Sequence, residues 1–451
     1  MQLVAYGAQD LYLTGSPEVS FFKCVYKRHT NFAMECILQT TTNSPVSNGR
    51  VSVIVARNAD LIGEMYIDLQ VSNAVNIVSG TSLTTADSCW IAERAIDDIV
   101  LTIGGQKIDT HYQRWWRLYS ELFLSSSKKI NYGKLTSDPL GQAYVSGGTN
   151  GAVTGQVMLP LLFFFNRNPG LYLPLIALQY HEVKLDFDLS AEYSTLFTNT
   201  FNVWGNYVYL DSEERRYFAQ KSHEYLIEQV QHIGNNSLNL AGITQTTSGA
   251  QIRLSYNQPV KELIWCVSQS GSCIGKQLWD LTSNASTANT IYLTTQVPNY
   301  FTNGSAIPIE SSTGSPLFLS SYGSTPSYTW TEDGTPAYGN AVGPISSFRL
   351  ILNGQDRFKD QSGKFFNQMQ PYWHHSGTPY PGIYCYSFAL NPEQLQPSGT
   401  CNFSRIDNAQ VDVRIKPGIN PTQAGNMLEM FAVNYNILRV QSGMGGLAFS
   451  N

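Results

Sequence analysis

The chain has 451 residues, with 28 basic and 33 acidic side chains for a net charge of −5, which excludes bulk electrostatic attraction to nucleic acid and a solubilising acidic tail. Charged residues make up 14% of the chain against roughly 25% in ordinary soluble domains, while 42% hydrophobic and 12% aromatic content is enough for a normal core. A normal interior under a charge-poor surface suits a secreted or glycan-handling protein, or one whose outer faces are covered by copies of itself.

At about 150 residues per domain, two domains are expected. The N-terminal stretch MQLVAYGAQDLYLTG carries neither a basic n-region nor an apolar h-region, so a cleaved secretory signal is not expected. The longest apolar run, Leu159 to Phe165, is broken by Pro160 and too short to span a bilayer. Residues 1–24 read as an N-terminal arm. Lys23 at its end and Lys27, Arg28 and His29 just after it cluster beside Phe21, Phe22 and Tyr26, the composition of an arm that contacts an anionic or membrane-facing layer. Seven scattered cysteines without a Cys-x-x-Cys pair argue against a disulfide framework and a zinc site.

Along the chain, alternating β-branched and aromatic runs predict strands at Val51–Val55, Met65–Val71, Ile99–Ile103, Val183–Leu189 and Val203–Leu210. They continue at Ile252–Tyr256, Leu263–Val267, Phe348–Leu352, Ile383–Leu390, Val411–Ile415 and Met430–Leu438. Helices are expected only at His111–Phe123 and Ser212–Val230. With 36 Gly and 20 Pro punctuating short strands, the class is all-β.

The halves repeat each other. LTIGGQKID (Leu101–Asp109) matches LILNGQDRF (Leu350–Phe358), and an aromatic stretch follows each. Asn168-Pro169 and Pro174 match Asn391-Pro392 and Pro397 at one offset of 223, and the strand Val183–Leu189 reappears at Val411–Ile415. On this reading Gln106 is equivalent to Gln355 and Pro174 to Pro397. Two tandem β domains follow, 25–210 and 225–451, joined by a linker at 211–224. Each is long enough for a jelly roll of about eight strands. The stretch 277–348 lacks Lys and Arg until Arg349 and is rich in Ser, Thr, Gly, Pro and Tyr, which predicts an ordered, solvent-facing loop. Gly141–Gly155 is its smaller counterpart.

No catalytic constellation emerges. Gly133-Lys134, Gly275-Lys276 and Gly363-Lys364 lack the spacing of a phosphate loop, and His181-Glu182 and His223-Glu224 have no second histidine four residues on. His374-His375 would point to opposite faces if extended, poor geometry for a shared metal. GSCIG (Gly271–Gly275) imitates a nucleophile elbow but precedes a poor helix. Asp97-Asp98 and Glu213-Glu214 read as solvated charge. Four Asn-x-Ser/Thr sequons occur, at Asn235, Asn284, Asn303 and Asn402; Asn284 and Asn303 fall in the loop expected outermost and are the candidate glycosylation sites. No cofactor or metal is expected.

The sequence resembles the major capsid proteins of nucleocytoplasmic large DNA viruses, of the algal-virus, phycodnavirus-like type. The resemblance lies in LVAYGAQDLYLTGSPEVSFFKCVYKRHTNFAMECI, PLLFFFNRNPGLYLPLIALQYHEVKL, LDSEERRYFAQKSHEYLIEQ, LNGQDRF, PSGTCNFSRIDNA and FAVNYNILRVQSGMGGLAFSN, in that order from one terminus to the other. It implies a double jelly roll, two tandem eight-stranded antiparallel sandwiches with short helices and long loops. It also implies a homotrimeric, pseudo-hexagonal capsomer without enzymatic activity that tiles an icosahedral shell assembled in the host cytoplasm. Neighbouring capsomers and minor capsid proteins would be its partners, with the inner viral membrane near the arm (Lys23, Lys27, Arg28) and no direct nucleic-acid contact. The class-distinct alternative is a glycan-binding or glycan-processing double β-sandwich, supported by the aromatic, charge-poor loop.

Overall fold

Val183, Leu185, Phe187 and Leu189 are buried while Lys184, Asp186 and Asp188 are partly exposed, the pattern of a strand with one face on a core. The computed structural model describes residues 7–71, 90–125, 127–129, 131–136, 155–238, 249–269, 344–377, 379, 382–415 and 426–449, and strands of this kind dominate them. Residues 270–343, with Cys273, Asn284 and Asn303, lie outside the described residues, as do 141–154 of the smaller loop.

In the first half the strands are β1 (Phe32–Gln39), β2 (Thr41–Thr42), β3 (Arg50–Ile54), β4 (Leu61–Val71), β5 (Ile96–Ile103), β6 (Gln106–Tyr112), β7 (Gln156–Pro160), β8 (Leu173–Pro174), β9 (Val183–Leu189) and β10 (Phe197–Leu210). They form two antiparallel sheets, β1-β10-β4-β7 with β8 beside β4, and β2-β3-β9-β5-β6. The second half supplies β11 (His223–Ser237), β12 (Ala250–Leu254), β13 (Pro259–Gln269), β14 (Ile345–Leu352), β15 (Gln355–Asp356), β16 (Gln361–Ser362), β17 (Ile383–Ser387), β18 (Cys401–Asn402), β19 (Ala409–Ile415), β20 (Asn426–Gln441) and β21 (Met444–Leu447). Its sheets repeat the first pair: β11-β20-β13-β17 with β18 beside β13, and β12-β19-β14-β15. Both halves are jelly-roll sandwiches.

The repeat holds at the level of single residues. The hairpin β5–β6 turns at Gly104-Gly105 and closes on Ile103 opposite Gln106; β14–β15 turns at Asn353-Gly354 and closes on Leu352 opposite Gln355. All four turn residues have positive φ, between 51° and 83°, as a two-residue hairpin of right-handed strands requires. Leu101 pairs with Leu185 and Leu350 with Val411. The Gln106–Gln355 equivalence is therefore met. The Pro174–Pro397 equivalence is not: Pro174 on β8 faces Leu61, while the position facing Pro259 on β18 is Asn402. Pro160 and Cys385 hold matching places opposite Tyr66 and Ile264, so the offset is 385 − 160 = 225 before this link and 402 − 174 = 228 after it. The second link is three residues longer, so the offset of 223 is local to the shared Asn-Pro pair inside the link and does not extend to Pro174.

Two other expectations are corrected. The helix expected over Ser212–Val230 ends at Gln220, and β11 starts at His223. EYLIEQV has good helix formers, but from His223 to Ser237 the chain pairs with β20, and long-range pairing outweighs local propensity. The second is β1, an unpredicted strand whose outward residues Phe32, Met34 and Leu38 are exposed. The helix expected at His111–Phe123 spans Gln113–Leu122 and buries Trp115, Trp116 and Leu118.

Candidate functional site and assembly surfaces

One hydrophobic cluster joins the two sandwiches, running from the first-half core through Trp115 and Leu178 to Ile227, Val230, Ile264, Cys385, Phe431 and Leu438. The seam is built by the outer face of the β11-β20-β13-β17 sheet, on which the first half seats the helix Gln113–Leu122 and the turn before Asn168. Trp115 lies 5.8 Å from the Phe431 ring and Tyr112 lies 4.8 Å from His232, which stacks on Phe431. Tyr119 stacks on Phe123, whose edge meets His375.

Polar bonds fix the register. The Val230 amide donates to Asp109 Oδ1, and the Gln229 side-chain amide donates to the Ile108 carbonyl. Arg114 Nε reaches Glu429 at 3.3 Å, and Arg167 Nη2 reaches Glu228 at 3.0 Å. Glu228 also takes a bond from Lys261, whose Nζ donates to the Pro392 carbonyl. Burial lowers the Lys261 pKa and Glu228 offsets part of that. A buried pair of this kind contributes little net stability, but removing one partner leaves an uncompensated charge, at a cost of about 3–5 kcal/mol. Such groups therefore specify register.

The densest group of potential ligands among the described residues is Glu262, His375 and Cys385, whose donor atoms lie within 4.8 Å of one another. His375 Nε2 bonds Glu262 and its Nδ1 lies 3.5 Å from Glu393. Burial opposes a charged imidazole, but Glu262 and the neighbouring hydrogen bonds outweigh it and hold the His375 pKa well above 6.5. Burial pushes the Cys385 thiol up to about 11, so it is no nucleophile. The trio is a buried ion pair beside an inert thiol. Sequence reasoning missed it because Glu262 and His375 are separated by 113 residues. His374, as expected, points elsewhere, its Nδ1 bonding the Leu390 carbonyl.

The remaining sequence candidates are dispersed. Lys23, Lys27 and Arg28 sit on a stretch where every residue from Gly7 to Asn31 is exposed. Asp97 is exposed, as expected of solvated charge, whereas Asp98 is partly buried and faces Asp188, and burial with that neighbour raises its pKa to about 6. The Asn402 side chain accepts a bond from the Ser404 amide. His181 lies at the seam, its Nδ1 2.8 Å from the Gly445 carbonyl. No described helix is long and apolar enough to cross a membrane.

Comparison with known proteins identifies this architecture. Residues 214–446 match the family described as large eukaryotic DNA virus major capsid protein, and residues 20–211 match the major capsid protein N-terminus. The chain belongs to the large eukaryotic DNA virus major capsid proteins. It is 38% identical to the major capsid protein of Paramecium bursaria Chlorella virus 1 and 37% to that of Pyramimonas orientalis virus, over 100% of this chain and 99% of each relative. The chain solved in the PBCV-1 virus capsid superposes with a TM-score of 0.71 at 34% identity, covering 96% of this chain and 100% of that one. A Faustovirus major capsid protein shares the fold at a TM-score of 0.59 and 13% identity.

As a major capsid protein, the chain is a structural component of the virion shell and not an enzyme, so its functional sites are surfaces. The duplication locates one of them. The row His232–Phe431–Ile264–Cys385 across the second-half sheet has its counterpart in Leu38–Trp204–Tyr66–Pro160. The first row is covered by the first half of the same chain. Among the described residues the second row is covered by no second sandwich: Leu38 is 47% exposed, Trp204, Tyr66 and Pro160 are partly exposed, and beside it Phe32 and Met34 are 52% and 51% exposed.

Proposed function

We propose that this major capsid protein acts as a homotrimer, a pseudo-hexagonal capsomer that tiles an icosahedral shell with neighbouring capsomers. One observation carries the reading: the β1-β10-β4-β7 sheet presents, with Phe32, Met34 and Leu38 exposed, the face by which its duplicate binds the other sandwich of its own chain. An exposed patch of this kind marks an interface. A contact between the first half of one chain and the second half of the next is head-to-tail, and such contacts close into a ring when the rotation from copy to copy divides a full turn. Six halves in alternation, with near-equal edges, are three chains.

The same reading assigns the remaining parts. The domains are 25–210 and 225–451, joined at 211–224, with an extended loop at 277–348 that carries sugar on Asn284 and Asn303. The arm, residues 1–24, with Lys23, Lys27 and Arg28 beside it, lies at the inner base toward minor capsid proteins and the viral membrane. Nucleic acid is not a direct partner, and assembly takes place in the host cytoplasm. Light scattering on the purified chain tests the core of the reading. A species of 3 × 50.1 = 150.3 kDa with hexagonal outline in negative stain is expected. A monomer at all concentrations overturns it.

A further inference from the structure

The two duplicated faces are not chemically alike, and the difference falls on one register position. Glu228 stands opposite Tyr435 on β20; the same place in the first half is Met34, opposite Val208 on β10. Lys261, two residues after Pro259, corresponds to Gly63, two residues after Leu61, because Pro259 and Leu61 hold matching places. A side chain at Gly63 would strike the Tyr172 ring at 2.4 Å, so no lysine fits there. The partner position changes as well. Arg167 precedes Asn168-Pro169 and Leu390 precedes Asn391-Pro392. These segments lie against matching carbonyls, since the Asn166 side-chain amide donates to that of Gly63 and the Phe388 backbone amide to that of Lys261. The buried group Arg167, Glu228 and Lys261 of the intrachain seam thus has the counterpart Leu390, Met34 and Gly63.

Leu390 and Met34 are exposed at 73% and 51%. The helical segment carrying Leu390's neighbours repeats the seam helix. Ser362 faces Ser347 as Tyr112 faces Asp98, which makes Phe365 and Met369 the counterparts of Trp115 and Tyr119. Met369 and the following Trp373 are exposed.

We propose that this position is a pairing code for the ring, resting on the trimer reading above. In the intermolecular seam, Leu390 of one chain lies on Met34 of the next, an apolar contact where the intrachain seam has an ion pair. The code enforces alternation. A first half docked on another first half would bury Arg167 against Met34 with no carboxylate in the place of Glu228; Glu64 in that sheet already accepts from the Tyr172 hydroxyl. A second half docked on another second half would set Leu390 against Glu228 and deprive it of Arg167. The first mismatch buries Arg167 without a partner and the second leaves Glu228 with Lys261 alone, and specificity arises from that penalty.

Charge exchange tests the code. Met34→Glu and Leu390→Arg are each expected to raise the concentration at which trimers dissociate at least about tenfold, since each buries a desolvated charge without a partner. The double variant Met34→Glu with Leu390→Arg restores trimers toward the wild-type concentration. Both positions are solvent-exposed in the single chain, so the melting temperature of the separated monomer stays unchanged and reports intact folding. Singles as trimeric as wild type, or a double variant no better than the singles, overturn the code while leaving the trimer standing. A wild-type chain that stays near 50 kDa overturns the trimer reading, and the code with it.

Discussion

Glu93 shows how one buried carboxyl couples this shell protein to pH. It is fully buried, accepts a bond from the Tyr132 hydroxyl at 2.6 Å, and lies 3.8 Å from Arg117, whose guanidinium covers the Trp90 ring. Desolvation dominates and, against Arg117 and Tyr132, lifts its pKa from 4.5 to about 7. A group whose pKa is raised on folding stabilises the fold fully below its unfolded value, and that contribution is lost as pH rises through the folded one. Stability is therefore expected to fall by about 3 kcal/mol between roughly pH 4.5 and pH 7 from this group. Glu93→Gln keeps the acceptor for Tyr132 and removes the titration. Denaturant unfolding across this range should give a flatter profile for the variant; an unchanged slope would count against the assignment. The sequence could not indicate this, because Glu93 stands in the unremarkable run IAER, and its burial depends on Tyr132, 39 residues away.

At the scale of elements, the paired hairpins were legible and the β1 strand was not. LTIGGQKI and LILNGQDR announce tight turns because positive φ at two successive positions selects Gly and Asn. The cost of violating that demand should differ between the first and second positions of the turn. An added methyl at Gly354 meets open space, so Gly354→Ala is expected to cost about 1–2 kcal/mol, from backbone strain alone. At Gly104 the methyl would lie 2.2 Å from His181, which bonds the Gly445 carbonyl across the seam. Gly104→Ala should therefore cost more and loosen the seam. Urea melts of the two variants check the order, and equal losses would contradict it. FAMECILQ defeats period-two reading for a physical reason: Phe32, Met34 and Leu38 point outward, while the inward Gln39 is buried, receiving the Tyr207 hydroxyl. Alternation reveals the core side only when the other side is polar.

Across the whole molecule, the exposed arm and the seam differ in what they contribute. Residues 7–31 are exposed throughout, with Phe21 and Phe22 almost fully so, so deleting residues 1–24 should move the melting temperature by no more than about 1 °C. If the arm meets an anionic layer, the intact chain will sediment with phosphatidylserine vesicles. The combined variant Lys23→Glu, Lys27→Glu and Arg28→Glu will not; equal sedimentation would remove the assignment. The sequence by itself determined the all-β class, the duplication and the capsid family, because strand periodicity, turn residues and ordered motifs are local and survive reading in one dimension. It did not determine the offset between the halves beyond Pro174, the end of the helix at Gln220, or the seam. Only the tertiary structure decided those, because β11 owes its form to β20 some two hundred residues later and Arg167 acquires its meaning from Glu228 on another sandwich. The low charge content is likewise a property of surfaces: one apolar face is covered by the chain's own first half, and its duplicate stands open.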